Sequence, residues 1–207
     1  MRGEGMLFCK REIPQEKVKR KDGHRLELMA KENIVLIGMA GAGKSTTGVV
    51  VAKIMKKDFI DGDLLIQHET GKGLQDIIDE AGNEGFRRIE EEILLSIESS
   101  NAVIAPGGSA IYYPRVMERF KKDGLIVYLH VPLQEIEERL GNLETRGVTL
   151  EAGQSVAELY QERILLYEAY ADITIEAGGK SLEETVDQIV KEAGACFASD
   201  TFRVHRR

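Results

Sequence analysis

Between residues 33 and 177 short runs of apolar, mostly β-branched side chains alternate with longer stretches in which apolar positions recur at helical spacing. The runs "NIVLIG" (33–38), "DFID" (58–61), "AVIAP" (102–106), "LIVYLHV" (125–131) and "DITIEA" (172–177) predict five strands. Helical periods fill the gaps: one over 43–56, one or two short ones through "GLQDIIDEAG", a long one over 83–99, and others near 114–122, 133–141, 155–170 and 181–194. Strands separated by helices in this way make an α/β fold, a parallel sheet covered on both faces in three layers, α/β/α. The stretch 142–154, "NLETRGVTLEAGQ", has no apolar period and carries two glycines, so it reads as an excursion long enough to be mobile.

Composition narrows the picture. At 207 residues and 43% hydrophobic, the chain has material for one well-packed domain, here 33–195, followed by a tail over 196–207. The first 28 residues are charged and weakly periodic, without the apolar core of a signal peptide. Met29 stands just ahead of the first strong strand, so residues 1–32 read as a disordered extension, the alternative being a tail that docks or binds a partner. A net charge of −7 exerts no long-range pull on nucleic acid or anionic lipid, so any anion site must be local and its partner small. Cys9 and Cys196 have neither metal-ligand nor redox-motif spacing. No run reaches the roughly 18 apolar residues that a membrane span needs. The expectation is a soluble, cytoplasmic monomer.

Gly38, Gly43, Lys44 and Ser45 match G-x-x-x-x-G-K-[ST] between a strand and a helix. Such a loop turns backbone N–H groups inward as an anion nest at a helix N-terminus, where the helix dipole adds favourable charge. Gly41, Ala42, Gly43, Lys44, Ser45 and Thr46 are therefore expected at the phosphates of a purine triphosphate, with the Ser45 hydroxyl on Mg²⁺. Neither "AVIAP" nor "LIVYLHV" ends in the acid that usually assists the metal. Asp61 and Asp63, at the end of the second strand, are the nearest substitutes; the alternative is a solvated turn with Asp63 as helix N-cap.

Two arginines stand out by helical arithmetic. Taking Phe86, Ile89, Ile93 and Ile97 as a buried stripe puts Arg87 on its flank and Arg88 away from it, with Glu90 one turn on as a partner for Arg87. On the helix that opens with Ser155 and Glu158 in capping-box spacing, Val156, Leu159, Tyr160, Tyr167 and Tyr170 form the apolar face and Arg163 projects into its middle. An anion must meet Arg163, either a protein carboxylate or that of a ligand. Arg146, in the excursion, is either a solvated side chain or a residue that closes over the transferred phosphoryl group.

Together these segments resemble the shikimate kinase family of P-loop kinases over about residues 33–192. "GMAGAGKST" looks like its P-loop, "FIDGD" like its Asp-x-Asp segment, "GFRRIEEE" like its Phe-Arg-x-x-Glu helix and "PGGSAI" like its triple-glycine turn. "RLGNLETRG" resembles its adenine-side and lid arginines, and "ERILLYEAYAD" its Arg-x-x-x-Tyr helix. The resemblance implies a P-loop kinase fold with a lid over about 142–154. It further implies that Lys44 and Ser45 serve ATP and Mg²⁺, with Asp61 supporting the metal through water. Asp63 would bind the acceptor hydroxyls and take the proton, Arg87 and Arg163 would clamp the acceptor carboxylate, and Gly107 and Gly108 would line the acceptor site. Arg146 would be the lid residue and Arg139 would lie near adenine. Two departures stand out: Ser109 replaces the third glycine, and "RGVT" replaces the Arg-Pro-Leu-Leu lid start.

The expected activity is an ATP-dependent kinase acting on an alcohol of a small hydroxy-carboxylate, shikimate first. Homoserine is the alternative acceptor, since two arginines bind any carboxylate and Ser109 would narrow a ring pocket. A nucleotide-dependent regulatory protein is a third reading, opposed by the lack of an Asn-Lys-x-Asp motif and of the strand-end acid.

Overall fold

The computed structural model describes residues 32–141 and 153–204. The segment 1–31 and most of the excursion, including Arg146, lie outside the described residues. Five strands, β1 (Asn33–Ile37), β2 (Asp58–Asp61), β3 (Ala102–Ala105), β4 (Gly124–His130) and β5 (Ile173–Glu176), form one sheet in the order β2-β3-β1-β4-β5. All pairings are parallel, in register Ile34 with Val103 and Leu125, Asp61 with Ala105, and Val127 with Ile173. Every residue of β1 and β3 is buried, which requires cover on both faces and explains their unbroken apolar runs.

The covering helices are α1 (Lys44–Met55), α2 (Gly62–Thr70), α3 (Leu74–Ser96), α4 (Pro114–Asp123), α5 (Leu133–Leu140), α6 (Val156–Tyr170) and α7 (Leu182–Val204), with a short 3₁₀ turn η1 (Ala110–Tyr112). The expected break near residue 82 occurs inside α3, where Gly82 at φ 69° interrupts the helical backbone. The last helix differs from expectation: it runs past 194 through the segment read as a tail. Cys196 and Phe197 pack against the core, and the Lys57 ammonium lies 5.1 Å from the Phe197 ring centre, so the apolar face persists beyond the predicted end.

Ile34, Leu36, Ile37, Ile104, Ile126 and Leu129 centre the core, and a satellite cluster of Ile66, Ile77 and Phe86 joins α2 to α3. β1, β2 and β3 thus deliver their carboxyl ends, followed by residues 38–43, Asp61–Asp63 and Pro106–Ser109, to one edge of the sheet, where open α/β folds bind ligands. No helix among the described residues is long and apolar enough to cross a membrane.

Candidate active site

A cleft of about 480 Å³ opens at this edge. Its phosphate-loop wall is built by the turn out of β1. Gly41 and Gly43 adopt φ of 80° and 90°, a region that favours glycine, and no side chain caps α1. Lys44 is buried and donates from Nζ to the carbonyls of Gly38 and Met39, each at 2.9 Å. Burial strips its hydration and lowers its pKa from 10.5 to about 8, despite the opposing charges of Asp63 and Asp61. Arg139 on α5 donates to the Gly41 carbonyl at 2.9 Å and pairs with Glu135 one turn earlier, which fixes it beside the loop.

The second wall begins where β2 meets α2. Asp61, not Asp63, is the N-cap: its Oδ1 accepts from the backbone N–H groups of Asp63 at 3.0 Å and Leu64 at 3.2 Å. Asp63 is left free to face the cleft. Its carboxyl pKa is raised because burial penalises the anion more than Lys44 stabilises it. Across from it, Gly107 at φ 103° has no room for a side chain, since a Cβ there would stand 3.2 Å from Asp63 Oδ1 and 3.3 Å from Glu90 Oε1. At Gly108 a Cβ would stand 3.0 Å from Arg163 Nη1.

Arg163 is 3% exposed, in the middle of the buried face of α6, as its helical position predicts. Its partners are neutral. Nε donates to the Tyr112 hydroxyl at 3.3 Å, and the guanidinium carbon lies 5.2 Å from the Tyr112 ring centre. Among the described residues Arg163 forms no ion pair, so of the two anions the sequence allowed, a protein carboxylate is not the one it meets.

The buried stripe of α3 is rotated from the expected one. The buried line of α3 runs through Phe86, Glu90, Leu94 and Ile97, not through Ile89 and Ile93. That rotation turns Glu90 into the core, 1% exposed, and keeps Arg87 on the flank of the buried line, its side chain exposed and near enough for its charge to act on Tyr113, whereas Arg88 points away. Glu90 accepts from the hydroxyls of Ser109 at 2.5 Å and Tyr113 at 2.6 Å.

Of the expected site residues, Gly41, Gly43, Lys44, Ser45, Thr46, Asp63, Gly107, Gly108, Ser109, Arg139 and Arg163 line one cleft. Ala42 belongs to the core, and Asp61 stands behind Asp63 as its cap. Glu90 was foreseen only as a helper of Arg87, and Tyr112 and Tyr113 were not foreseen; the available signals were an acid at i+4 from Phe86 and two tyrosines after the glycine turn.

A triphosphate fits the loop: glycine backbone, an uncapped helix start and a lysine held only by carbonyls all require an anion to complete them. Among the described residues no group of three or more His, Cys, Asp or Glu could hold a metal ion. A divalent ion here would therefore rest on Ser45, nucleotide oxygens and water, the usual arrangement for Mg²⁺.

The family model described as shikimate kinase matches residues 40–193. The shikimate kinase of Thermodesulfovibrio yellowstonii is 38% identical over 164 residues, covering 78% of this chain and 94% of the relative. That of Nitrosomonas europaea is 36% identical over 164 residues, covering 77% of each. Among solved structures, shikimate kinase from Acinetobacter baumannii in complex with shikimate superposes with a TM-score of 0.73 at 30% identity, covering 79% of this chain and 93% of that one. The Aquifex aeolicus shikimate kinase gives 0.69 at 29% identity, covering 79% and 98%.

Proposed function

We propose, from the premise that the chain belongs to the shikimate kinase family, that the cleft transfers the γ-phosphoryl group of ATP to a hydroxyl of shikimate. The observation that supports this most is the sequence of groups along the cleft. Lys44 stands at the phosphate loop, Asp63 beside Gly107 comes next, and Arg163 lies beside Gly108 with only neutral partners.

Lys44 exchanges its contacts with the Gly38 and Met39 carbonyls for the β- and γ-phosphates, and returns to full charge as it does so. Arg139 borders the same loop on the side read as the adenine site. Ser45 would hold Mg²⁺, with Asp61 reaching it through water, and the metal supplies charge neutralisation at the bridging phosphates. Arg163 takes the shikimate carboxylate as a charge-assisted, two-point contact. Arg87, on the flank of the buried line of α3, is the second candidate for that carboxylate.

Asp63 accepts the proton of the acceptor hydroxyl. Its raised pKa makes it a better base than an ordinary aspartate. The acceptor oxygen then forms a bond to the γ-phosphorus, the bond from that phosphorus to the β–γ bridging oxygen breaks, and ADP leaves. Positioning and charge neutralisation carry most of the acceleration.

The enzyme is read as a cytoplasmic monomer. Homoserine is disfavoured as acceptor, because the Ser109 hydroxyl that was to narrow the pocket is turned onto Glu90. A coupled ADP-release assay on both acceptors tests the reading. Turnover with shikimate is expected, and turnover of homoserine without shikimate would overturn it.

A further inference from the structure

The segment from Ser109 to Tyr113 gives three hydroxyls to two ionisable side chains, Glu90 and Arg163, that share one cleft. Ser109 donates to one oxygen of Glu90 and Tyr113 to the other, at 2.5 and 2.6 Å, so both carboxylate oxygens are held and the group cannot turn. The Tyr112 hydroxyl donates to Glu162 at 2.8 Å, which leaves its lone pair to accept from Arg163. η1 sets this spacing, with the backbone N–H of Tyr112 on the Ser109 carbonyl and that of Tyr113 on the Ala110 carbonyl. Glu90 and Arg163 approach adjacent glycines, Gly107 and Gly108, and opposite charges attract strongly in a water-poor cleft. Each is nevertheless held by neutral hydroxyls instead of by the other.

We propose that Ser109, Tyr112 and Tyr113 are positioning residues that keep Glu90 and Arg163 in separate neutral sockets, so that the Arg163 guanidinium stays unneutralised for the acceptor carboxylate. This rests on the reading of the cleft as a shikimate site. Two donors satisfy Glu90 where it stands and remove its incentive to reach Arg163. Tyr112 orients the guanidinium through Nε and its ring face without cancelling the charge, and the Nη1 side remains toward Gly108 and the cleft. Ser109, one of the two departures from the family pattern, thus acts on Glu90 and not on the acceptor itself.

The test compares wild type, Ser109→Ala/Tyr113→Phe, the same pair with Glu90→Gln, and Tyr112→Phe, which keeps the ring and loses the acceptor oxygen. Michaelis constants are measured for shikimate and for ATP. The double variant is expected to raise the shikimate KM about tenfold, the size of one lost hydrogen bond to a charged group, with the ATP KM unchanged. Adding Glu90→Gln removes the competing anion and should restore most of the loss. Tyr112→Phe should raise the shikimate KM alone.

An acceptor-free readout runs beside this. Burial raises the proton affinity of Glu90, opposed by the hydroxyls of Ser109 and Tyr113 and by Arg163, with Asp63 adding to the rise. In the double variant the Glu90 carboxyl infrared band, identified by its loss in Glu90→Gln, should therefore titrate at higher pH. An unchanged shikimate KM, a KM loss that Glu90→Gln deepens, or an infrared band that does not move overturns the proposal. If wild type fails to use shikimate while the band shifts as expected, the sockets stand and the acceptor reading falls.

Discussion

Replacing Arg163 with methionine should weaken acceptor use and strengthen the ligand-free protein. Arg163 is 3% exposed and its partners, the Tyr112 hydroxyl at 3.3 Å, the Tyr112 ring at 5.2 Å and the Tyr167 hydroxyl, are all neutral. A carboxylate bound to it by two charge-assisted hydrogen bonds gains about 1.5–3 kcal/mol from each. Water entering the variant's site returns part of that. A loss of ~2–4 kcal/mol remains, about 30- to 700-fold in kcat/KM for shikimate, concentrated in KM. In the free protein the sign reverses, because the desolvated cation has no anion to repay its burial. Methionine orphans nothing: the Tyr112 hydroxyl still donates to Glu162 at 2.8 Å, and Tyr167 still donates to the Gly108 carbonyl at 2.7 Å. A gain of about 1–2 kcal/mol is expected, or ~2–8 °C in Tm for a chain of this size. Steady-state kinetics with shikimate and a thermal melt without ligands read the two effects. A lower Tm together with an unchanged shikimate KM would show that the guanidinium is structural, and the carboxylate clamp would be wrong.

Lys44→Ala should abolish turnover in the ADP-release assay while leaving the fold intact by circular dichroism. Because the Lys44 pKa falls from 10.5 to about 8 on folding, this group contributes stability that is fully present above pH 10.5 and lost as pH falls through 8. The stability of wild type relative to Lys44→Met should therefore rise between those values in pH-dependent melts. By the same shift, ATP binding near pH 8 should take up about half a proton, read by calorimetry in buffers of different ionisation heat; no uptake would mean that Lys44 is already fully charged in the free loop. Gly108→Ala pushes on the end of the Arg163 side chain, 3.0 Å away, and should raise the shikimate KM about tenfold with little change in Tm. Gly62→Ala instead places a Cβ 2.7 Å from the Pro106 carbonyl oxygen, where backbone must move, and should cost ~1–3 kcal/mol in urea unfolding.

The strands, the phosphate loop and Arg163 were legible because each rests on a local signal. A buried strand is an unbroken apolar run, the loop is a contiguous motif, and a lone arginine on an apolar face must be explained wherever the helix packs. The buried line of α3 was drawn through Ile89 and Ile93 because they dominate the wheel by hydrophobicity, whereas packing chose the line through Glu90 and Leu94; Arg87 flanks either line. An acid in a core line is unreadable until its partners are known, and Ser109 and Tyr113 are 19 and 23 residues away. The capping role of Asp61 was open for a similar reason: Asp61 and Asp63 offer equal chemistry, and only the angle between β2 and α2 decides which caps and which faces the cleft.

The two cations of the cleft share one design. Lys44 is held by two backbone carbonyls and Arg163 by the hydroxyls of Tyr112 and Tyr167 and the Tyr112 ring, so each is solvated by fixed neutral dipoles while its charge stays uncancelled. A carboxylate partner for either would stabilise the free protein and compete with the ligand. Neutral partners do the reverse: they fix the direction of the cation, which lowers the reorganisation needed on binding, and leave its field for phosphate at one end and for carboxylate at the other. The carboxylates that face these cations are restrained. Glu90 is tied by its hydroxyls, and Asp63 follows the Asp61 cap into α2 and faces Gly107. The acceptor hydroxyl then meets a base that is neither paired away nor free to swing. Selectivity for a hydroxy-carboxylate therefore follows from where the protein withholds ion pairs as much as from where it places charges.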